Sequence, residues 1–504
     1  MRIQYGAVYA RLDLWRTIVD IVSYLTKRGW TGVDSNFRGK IDEWLEWYQG
    51  DVADFHHYSV FNGVGSVKRL RRGLGMAKTV TEDWANLLLN EKVQISAGSF
   101  QRQLDDILHA NRWGTQSNRL IELAFALGTG ALVEYLGEGG IPNIDYIRAD
   151  MIFPLSWDNG DITECAFGSL RMQDKTECIY LQIHRFGESG AYQIENHLFN
   201  NDSGQELPLD GVAEVVGTGS ASPLFQIITP NIVNNVDLDC PMGVSVYANA
   251  ISALQDVDLV FDSYASEFEL GRKRIFIPMS MAKIEDMGAN PEERLYRPSF
   301  DPRDCVFYAL EIENAEKPVD VSLPLRTAEH QTGIRDALNV LSLKCGLGTD
   351  RYSFESSGVK TATEVVSEKS DLFQNLKKHE HILSEALTNM VKALAYLSGA
   401  SEPEVTVMFD DSIINDDNTK IDNNIKLVGA GLKSKLSALM DIYGYSEQEA
   451  AEELARIVEE NRSVSGADID LFGEEPEQRQ KIGFSPNESE DEEEEAPPEE
   501  DEAQ

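Results

Sequence analysis

A long helical pattern behind a polar loop constrains the fold of this chain more than any other stretch of its sequence. Thr361 and Glu364 have the spacing of a capping box, and the pattern stops at Gly399, a residue type that commonly follows a helix. Between these ends, apolar residues recur at helical spacing: Val366, Phe373, Leu376, Leu383, Leu387, Met390 and Leu394. The sequence therefore predicts one continuous helix over residues 362–398, with a mixed loop, residues 346–361, in front of it.

Two further segments carry the apolar seam of a helix that packs lengthwise on a neighbour. In residues 245–270 the apolar positions alternate at steps of three and four, and the segment would span roughly 39 Å at 1.5 Å per residue. Its seam consists of Tyr247, Ala250, Leu254, Val257, Phe261, Tyr264 and Phe268. A second helix, residues 327–345, repeats the seam through Ile334, Leu338, Leu341 and Cys345. The two helices bracket a Pro-punctuated module, residues 271–325, with strand-like pieces.

The first of these helices is acidic outside its seam. Its acids are Asp256, Asp258, Asp262, Glu267 and Glu269, and no base occurs before Arg272. Such a run is compatible with a solvated face and also with a helix that lines an acidic passage. The charges alone leave both interpretations open.

The remaining segments predict a mixture of helices and short strands. One helix near the amino terminus has an apolar face formed by Ile41, Trp44, Leu45 and Tyr48. Residues 141–199 show β-rich runs separated by turns, and Asn159-Gly160 is a strong hairpin signal. Residues 200–240 read as loops, whereas "EVTVMF" predicts a strand and about 417–462 predicts helices. The expected fold class is α+β and mainly helical.

Composition excludes several classes of protein. The formal net charge of −40 is far from the basic balance of a protein that grips the nucleic-acid backbone. Residues 474–504 hold fourteen acids against Arg479 and Lys481, so disorder is expected there. Five widely spaced cysteines favour neither a disulfide framework nor a zinc site. The helical pattern around residues 14–30 is interrupted by charges, so we expect no membrane anchor.

The sequence lacks three common motifs of nucleotide binding and nucleophilic catalysis. It contains no phosphate-cradling G-x-x-x-x-G-K-[ST], no G-x-G-x-x-G and no G-x-S-x-G. His379 and His381 are two residues apart on a helix and point to different sides, so we expect exposed histidines and no metal site there. The stretch near Asp468 resembles the start of a calcium loop, but Phe472 stands at a ligand position. No catalytic residue, metal or cofactor is predicted.

Several segments, in order, resemble the portal proteins of tailed bacteriophages, specifically the type found in long-tailed phages of Gram-positive hosts. They are "IDEWLEWYQGDVADFHHY", "MAKTVTEDWANLLLNEKVQI", "FALGTGALVEYL", "YIRADMIFPLSWDNGDITECAF" and "KTATEVVSEKSDLFQNLKKHE". The resemblance covers about residues 35–400 and leaves the acidic tail uncovered.

The resemblance implies a mainly helical portal-type fold, with long stem helices and small β-rich wing and clip modules. It divides the chain into a wing (1–240), a first stem helix (241–270), a clip (271–325), a second stem helix (326–345), a tunnel loop (346–361), a long wing helix (362–398), a helical crown (399–465) and a disordered acidic tail (466–504). Portal proteins form dodecameric rings at one capsid vertex, and the long helix would then support a loop that DNA must pass.

Site residues and partners follow from the same resemblance. The loop residues expected to face the DNA channel are Thr349, Asp350, Arg351, Tyr352, Ser353, Phe354 and Glu355, although Arg351, Tyr352 and Phe354 could instead pack against the neighbouring loop. The stem acids expected to line the channel are Asp258, Asp262 and Glu269. The implied partners are terminase, major capsid and scaffolding proteins, head-tail connector proteins and double-stranded DNA that passes without sequence-specific binding. The implied location is the portal vertex of the virion, after assembly in the host cytoplasm.

Two other classes of function remain as alternatives. One is a different head structural protein, such as an adaptor, which would have the same acidic and motif-free sequence. The other is a metal-dependent phosphoryl-transfer enzyme, in which clustered acids would hold Mg²⁺: Asp410, Asp411, Asp416 and Asp417. Their loop-like setting favours a solvated turn. A closed ring would support the portal, and a monomer with metal-dependent turnover would support the enzyme.

Overall fold

The computed structural model describes residues 21–61, 63–90, 93–137, 140–173, 175–187, 190–209, 211–278, 284–286, 296–298, 307–310, 317–352, 362–409, 417–443, 445 and 447–467. The chain divides into two compact units, residues 1–414 and residues 415–504. Long helices are combined with small, mostly antiparallel sheets, so the predicted α+β class is confirmed.

Helices dominate the first part of the first unit. They are α1 (Ser35–Gln49), α2 (Ala53–His56), α3 (Met76–Leu88), α4 (Gln101–Ala110) and α5 (Trp113–Leu127), and residues 21–27 are also helical. The side chain of Asp34 caps α1 by accepting the N–H of Asn36, and Gly50 ends it with a φ of 75°. Helix α1 buries Ile41 and Trp44 as predicted, together with Phe37 and Trp47, whereas the predicted Leu45 and Tyr48 are half-buried.

Strands follow where the sequence changes to β-rich runs. A hairpin, β1 (His57–Phe61) and β2 (Ser66–Leu70), precedes α3. The later strands are β3 (Gln94–Ser96), β4 (Gly130–Leu136), β5 (Pro142–Arg148), β6 (Ile152–Asp158), β7 (Asp161–Gln173), β8 (Thr176–Phe186), β9 (Tyr192–Asn200), β10 (Glu206–Leu207), β11 (Val215–Gly217) and β12 (Phe225–Ile228). One sheet has the order β12-β4-β5, and the larger one has the order β10-β9-β8-β7-β6 with β11 on β9. The segment expected to be loops thus contributes three short strands.

The predicted hairpin at Asn159-Gly160 is confirmed. Asp158 pairs with Asp161 across the turn from β6 to β7. Asn159 has a φ of 50° and Gly160 a φ of 91°, so both central residues are left-handed. Two-residue hairpins favour this turn because its twist matches the twist of the strands.

The two seamed helices are α6 (Ile251–Leu270) and α7 (Thr327–Lys344), and they pack against each other. Between them lie β13 (Ile275–Pro278), β14 (Ile284–Asp286), β15 (Tyr296–Pro298), β16 (Phe307–Leu310) and β17 (Val319–Asp320). Strand β13 pairs with β16 in parallel and with β17 antiparallel. The strand-like pieces predicted for this module are therefore present.

The long helix α8 (Ala362–Leu397) has nearly the predicted bounds. Its capping residue Thr361 lies outside the described residues, but its end is clear. The N–H of Ala400 donates to Ala395 and the N–H of Gly399 to Tyr396, and Gly399 has a φ of 68°. These bonds form a Schellman motif, which explains why the helix stops there. One core joins α8 to the earlier helices, with Trp44, Trp84, Leu254, Leu338 and Leu387 among its buried members.

The strand predicted from "EVTVMF" is β18 (Thr406–Met408), and it pairs with β3. It therefore belongs to the first unit, although we expected residues 399–465 to form one helical module. The second unit contains α9 (Asp417–Gly429), α10 (Lys435–Tyr443) and α11 (Glu447–Ala467), as predicted for this region. Residues 468–504, most of the predicted tail, lie outside the described residues. Among the residues that are described, no helix has the length and apolar character needed to cross a membrane.

Candidate functional site

The candidate site begins where α7 ends and the predicted channel loop starts. The N–H of Leu347 donates to the carbonyl of Ser342 at 3.0 Å, and the N–H of Gly346 donates to Leu343 at 3.2 Å. These two bonds form a second Schellman motif, and Gly346 occupies its left-handed position with a φ of 79°. Leu347 is buried, so the chain leaves the helix in a fixed direction.

Two side chains from other helices hold this turn. The indole Nε1 of Trp84, on α3, donates to the carbonyl of Cys345 at 3.1 Å. The amide Nδ2 of Asn375, on α8, donates to the carbonyl of Gly346 at 3.0 Å. The start of the loop is thus fixed to the amino-terminal helices and to the long helix that follows it.

His379 supports the same corner from α8. Its ring meets Trp84 edge-on at 4.8 Å and Phe125 at 5.0 Å, and its Nδ1 accepts the N–H of Asn231 at 2.9 Å. Burial lowers the pKa of His379 to about 4, so the imidazole is neutral at pH 7. The expectation that His379 is exposed is wrong, because its ring fills the core between α3, α5 and α8, whereas His381 is exposed as expected.

The base of the predicted channel loop contacts its own protomer. The guanidinium of Arg351 donates to the carboxylate of Asp83 on α3 at 3.2 and 3.3 Å. The amide Nδ2 of Asn339, on α7, donates to Asp350, whose φ is 60°. Tyr352 packs against the main core, and burial raises its pKa. Of the remaining predicted loop residues, Thr349 is exposed, and Ser353, Phe354 and Glu355 lie outside the described residues.

Asp258 of the acidic helix α6 is buried, which corrects the expectation that it presents a carboxylate on an exposed face. Its Oδ1 accepts the N–H of Leu74 at 2.7 Å, and its Oδ2 lies 3.1 Å from Nε2 of His56. A buried carboxylate is tolerated only with such partners, because desolvation penalises an unpaired charge.

Two other acids of α6, Glu267 and Glu269, pair with bases from distant segments. Asp262 accepts the backbone N–H of Arg72 at 3.2 Å, and the guanidinium of Arg72 also pairs with Glu269. Hydrogen bonds from Arg326 lower the pKa of Glu267 to about 2. The helix therefore carries less net negative charge than its own sequence indicates. Sequence reasoning missed these bases because none lies within the helix.

Part of the predicted seam is exposed in the protomer. Tyr247, Ala250, Leu254 and Val257 are buried, and so is the seam of α7 from Ile334 to Cys345. Towards the end of α6, however, the seam residue Phe268 is 44% exposed, and other apolar side chains on both helices are exposed as well: Leu259, Leu270, Val340 and Leu343. We call these five residues the stem stripe; at 3.6 residues per turn, Leu259 and Phe268 lie on opposite sides of α6. The intramolecular pairing of α6 and α7 accounts for only part of their apolar surface.

A metal-dependent enzyme gains no support from the described residues. No group of three or more His, Cys, Asp or Glu side chains in the described part of the chain is placed to hold a metal ion. Of the acids considered as Mg²⁺ ligands, Asp410, Asp411 and Asp416 lie outside the described residues, and Asp417 begins α9.

Comparison with known proteins gives a family and two distant structures. A family model described as "Phage portal protein, SPP1 Gp6-like" matches residues 32–467. The chain is 14% identical to a protein in "Neck of native GTA particle computed with C12 symmetry", covering 73% of this chain and 89% of that chain with a TM-score of 0.37. For "Virion of native gene transfer agent (GTA) particle" the identity and both coverages are the same and the TM-score is 0.35. TM-scores this low do not establish a shared fold. No curated protein matches the chain.

The family assignment therefore rests on the family model, which spans most of the sequence, including helices α6, α7 and α8. Members of this family are structural components of the phage particle. The chain belongs to the SPP1 Gp6-like family of phage portal proteins.

Proposed function

We propose that this chain assembles into a closed ring, a dodecamer, at one vertex of a phage capsid. The observation that carries the proposal is the stem stripe, which leaves apolar side chains exposed along both stem helices of a portal-family chain. Apolar side chains exposed on more than one side of this helix pair fit a protomer that has a neighbour on each side. A heterologous contact repeated by rotation closes into a ring, so lengthwise packing of neighbouring stems would bury the stripe in every subunit.

In this proposal the ring encloses the channel for DNA packaging and ejection. The loop of residues 349–355 faces the channel, with Asp350, Arg351 and Tyr352 at its base held by their own protomer. The anchors of Cys345 and Gly346 support this, because they fix the direction in which the loop leaves the core. Asp262 and Glu269 line the channel at the level of the stem. An acidic wall repels phosphates, so DNA passes without being bound.

The remaining modules take the roles that the portal family suggests. Residues 271–325 form the clip, which docks terminase during packaging and head-tail connector proteins afterwards. Residues 1–240 with the long helix α8 form the wing, which contacts major capsid and scaffolding proteins. The second unit, which begins at 415, forms the crown. The ring would assemble in the host cytoplasm and become part of the virion.

Mass photometry and negative-stain electron microscopy of the purified chain test the proposal. We expect closed rings with a central channel. Val340→Asp, in the stem stripe, should abolish them without unfolding the protomer, because Val340 is 51% exposed. The matched control Val233→Asp, at a residue 75% exposed outside the stem, should leave the rings intact. Monomers only, at micromolar concentration of the unmodified chain, would rule out the ring.

A further inference from the structure

The hairpin of β1 and β2 is a two-stranded ribbon that carries exposed apolar side chains. Its register pairs His57 with Leu70 and Phe61 with Ser66, and within the described residues neither strand pairs with a third. Tyr58 is half-buried under the guanidinium of Arg71, but both faces carry exposed apolar side chains. Phe61 is 70% exposed and Leu70 is 64% exposed, and the cross-strand pair Val60 and Val67 is also exposed. In the part of the chain that the structure describes, no further strand covers these apolar side chains, and a two-stranded ribbon of this kind is stabilised by a partner that buries them.

The base of the ribbon, in contrast, is firmly held. The guanidinium of Arg71 donates to the carbonyl of Phe55 at 2.8 Å and lies 4.0 Å from the centre of its ring. The N–H of Arg71 donates to the carbonyl of His56 at 2.8 Å. The next residue, Arg72, binds α6 through Asp262 and Glu269. The hairpin is therefore rooted on the first stem helix, and its exposed side chains are held in place by a fixed base.

The hairpin region also has a charge opposite to that of the chain. Residues 55–81 contain five bases and no acid, although the whole chain has 85 acids and 45 bases. Lys68 and Arg69 are consecutive on β2 and both are exposed, so they place positive charge on opposite faces of the ribbon. Each face thus combines apolar side chains with a cation.

We propose that the hairpin docks on a second copy of this chain, the neighbouring subunit in the ring. Its apolar side chains would be buried there, and Lys68 and Arg69 would pair with acids of that subunit. The formal charge of −40 makes another copy a complementary partner. A nucleic-acid backbone would satisfy the two cations and leave Phe61 and Leu70 exposed, so we favour the protein partner. The root on α6 places the hairpin on the helix whose stem stripe also needs a neighbour. The proposal rests on the ring and adds a second contact to it.

Charge reversal tests the contact in the full chain. Lys68→Glu with Arg69→Glu should raise at least tenfold the protein concentration at which half of the subunits are in rings, measured by mass photometry. The melting temperature of the protomer should not change, since both side chains are exposed. The control, Arg102→Glu with Lys175→Glu, makes the same change in net charge at exposed sites elsewhere and should leave ring formation unchanged. Equal ring stability in the two variants would overturn the proposal.

Cross-linking identifies the partner directly. Rings assembled from a mixture of ¹⁴N- and ¹⁵N-labelled chains would be treated with a carbodiimide, which joins Lys68 to a carboxylate in contact with it. Cross-linked peptides that combine the two labels show contact between subunits, and we expect them at Lys68. Cross-links within one chain only would overturn the proposal. A second outcome would also overturn it: the Lys68→Glu, Arg69→Glu variant forms intact rings but has lost affinity for a 30-base-pair DNA duplex. The partner of the hairpin would then be nucleic acid. Failure of the unmodified chain to form rings would instead refute the ring itself.

Discussion

The imidazole of His56 lies 3.1 Å, from Nε2 to Oδ2, from the carboxylate of Asp258, and this contact joins segments 202 residues apart. The N–H of Val52 donates to Nδ1 of His56 at 2.8 Å, so the ring proton is on Nε2 and points at Asp258. The other carboxylate oxygen accepts the N–H of Leu74. The pair fixes helix α6 against the amino-terminal helices, at the root of the hairpin.

Replacing Asp258 should therefore destabilise the protomer. In Asp258→Asn, the amide oxygen can still accept the N–H of Leu74. The amide nitrogen then faces the N–H of His56, and two donors cannot form a hydrogen bond with each other. An unsatisfied buried group of this kind costs about 2 kcal/mol of unfolding free energy. Denaturant unfolding would measure it, with Asp256→Asn, exposed on the same helix, as a control that changes little. Equal stability of the two variants would show that the His56 contact contributes nothing.

Gly73 should be sensitive to a single added methyl group. A Cβ at Gly73 would lie 3.2 Å from Oδ2 of Asp258 and 3.3 Å from Nε2 of His56. Both atoms are held by hydrogen bonds, so Gly73→Ala should cost about 1–2 kcal/mol through overpacking. Gly39→Ala is the matched control, because Gly39 lies within α1 with no atom within 4 Å of its Cβ position. That change should stabilise the protein by about 0.5–1 kcal/mol. Unfolding curves for the two variants that shift in the same direction would contradict this account.

The sequence predicts the elements whose signals are local. The apolar seams gave the bounds of α7 and α8 closely, because periodicity and end signals such as Gly399 lie within or beside each helix. The end of α6 also agrees, but α6 begins at Ile251 and not at the predicted residue 245, so the seam residues Tyr247 and Ala250 precede it. The contacts of the site could not be read in this way. Arg72 with Glu269, Arg351 with Asp83 and Trp84 with Cys345 each join residues about 200 or more positions apart. A charge pattern on one helix cannot show which bases the fold brings to it.

Two predicted features differ from the structure. Phe268 continues the seam of α6 but is 44% exposed, although α7 meets this end of α6 through His330, which packs on Tyr264, and through Arg326, which binds Glu267. Asp258 reads as one more acid of a charged face, yet it is buried, since the imidazole of His56 and the N–H of Leu74 compensate it. Whether residues 349–355 face a channel stays a prediction.

Glu134 should make stability depend on pH. This β4 carboxylate is fully buried, and within the described residues neither oxygen accepts a hydrogen bond of ordinary geometry. Burial raises the pKa of Glu134 well above its usual 4.5. The unfolded chain therefore releases this proton first, so the stabilising contribution is complete below pH 4.5 and is lost as pH rises towards the folded pKa.

Glu134→Gln removes this titration without changing the size of the side chain. We expect the variant to gain melting temperature relative to the parent above about pH 5, with the gain increasing with pH. Glu385→Gln, an exposed residue of α8, serves as the control and should show no such trend. Melting curves of parent and Glu134→Gln that stay parallel from pH 4 to pH 9 would show that the carboxyl group ionises freely.

Reversing the stem acids tests whether they face the channel. In Asp262→Lys with Glu269→Lys, each subunit would add two positive charges, multiplied around the ring, and such a ring would attract phosphates strongly at low salt. Packaging should slow, and added salt should partly restore it, with ring formation measured in parallel because the same two acids also hold Arg72. The control is Glu385→Lys with Glu404→Lys, two exposed sites outside the stem. Normal packaging by the stem variant at every salt concentration would place Asp262 and Glu269 on an outward, solvated face.

The last prediction concerns the loop between α7 and α8, in which only some residues can be replaced without disturbing its anchor. Asp350, Arg351 and Tyr352 contact their own protomer, so replacing them would disturb the anchor as well as the channel. Replacing Ser353–Ser357 by glycines leaves those contacts intact. Ring formation should therefore be unchanged, because the stem seams lie outside the replaced segment.

DNA packaging or retention should suffer in this variant, because the segment expected to meet the DNA has lost its side chains. A packaging assay beside electron microscopy of the rings measures both properties. Arg351→Gln, as a comparison, removes the ion pair with Asp83 and tests the anchor separately. That exposed pair contributes about 0–1 kcal/mol, so the change should alter stability little. If the glycine variant forms rings and also packages and retains DNA like the parent, residues 353–357 do not act on the DNA, and the channel assignment of this loop is wrong.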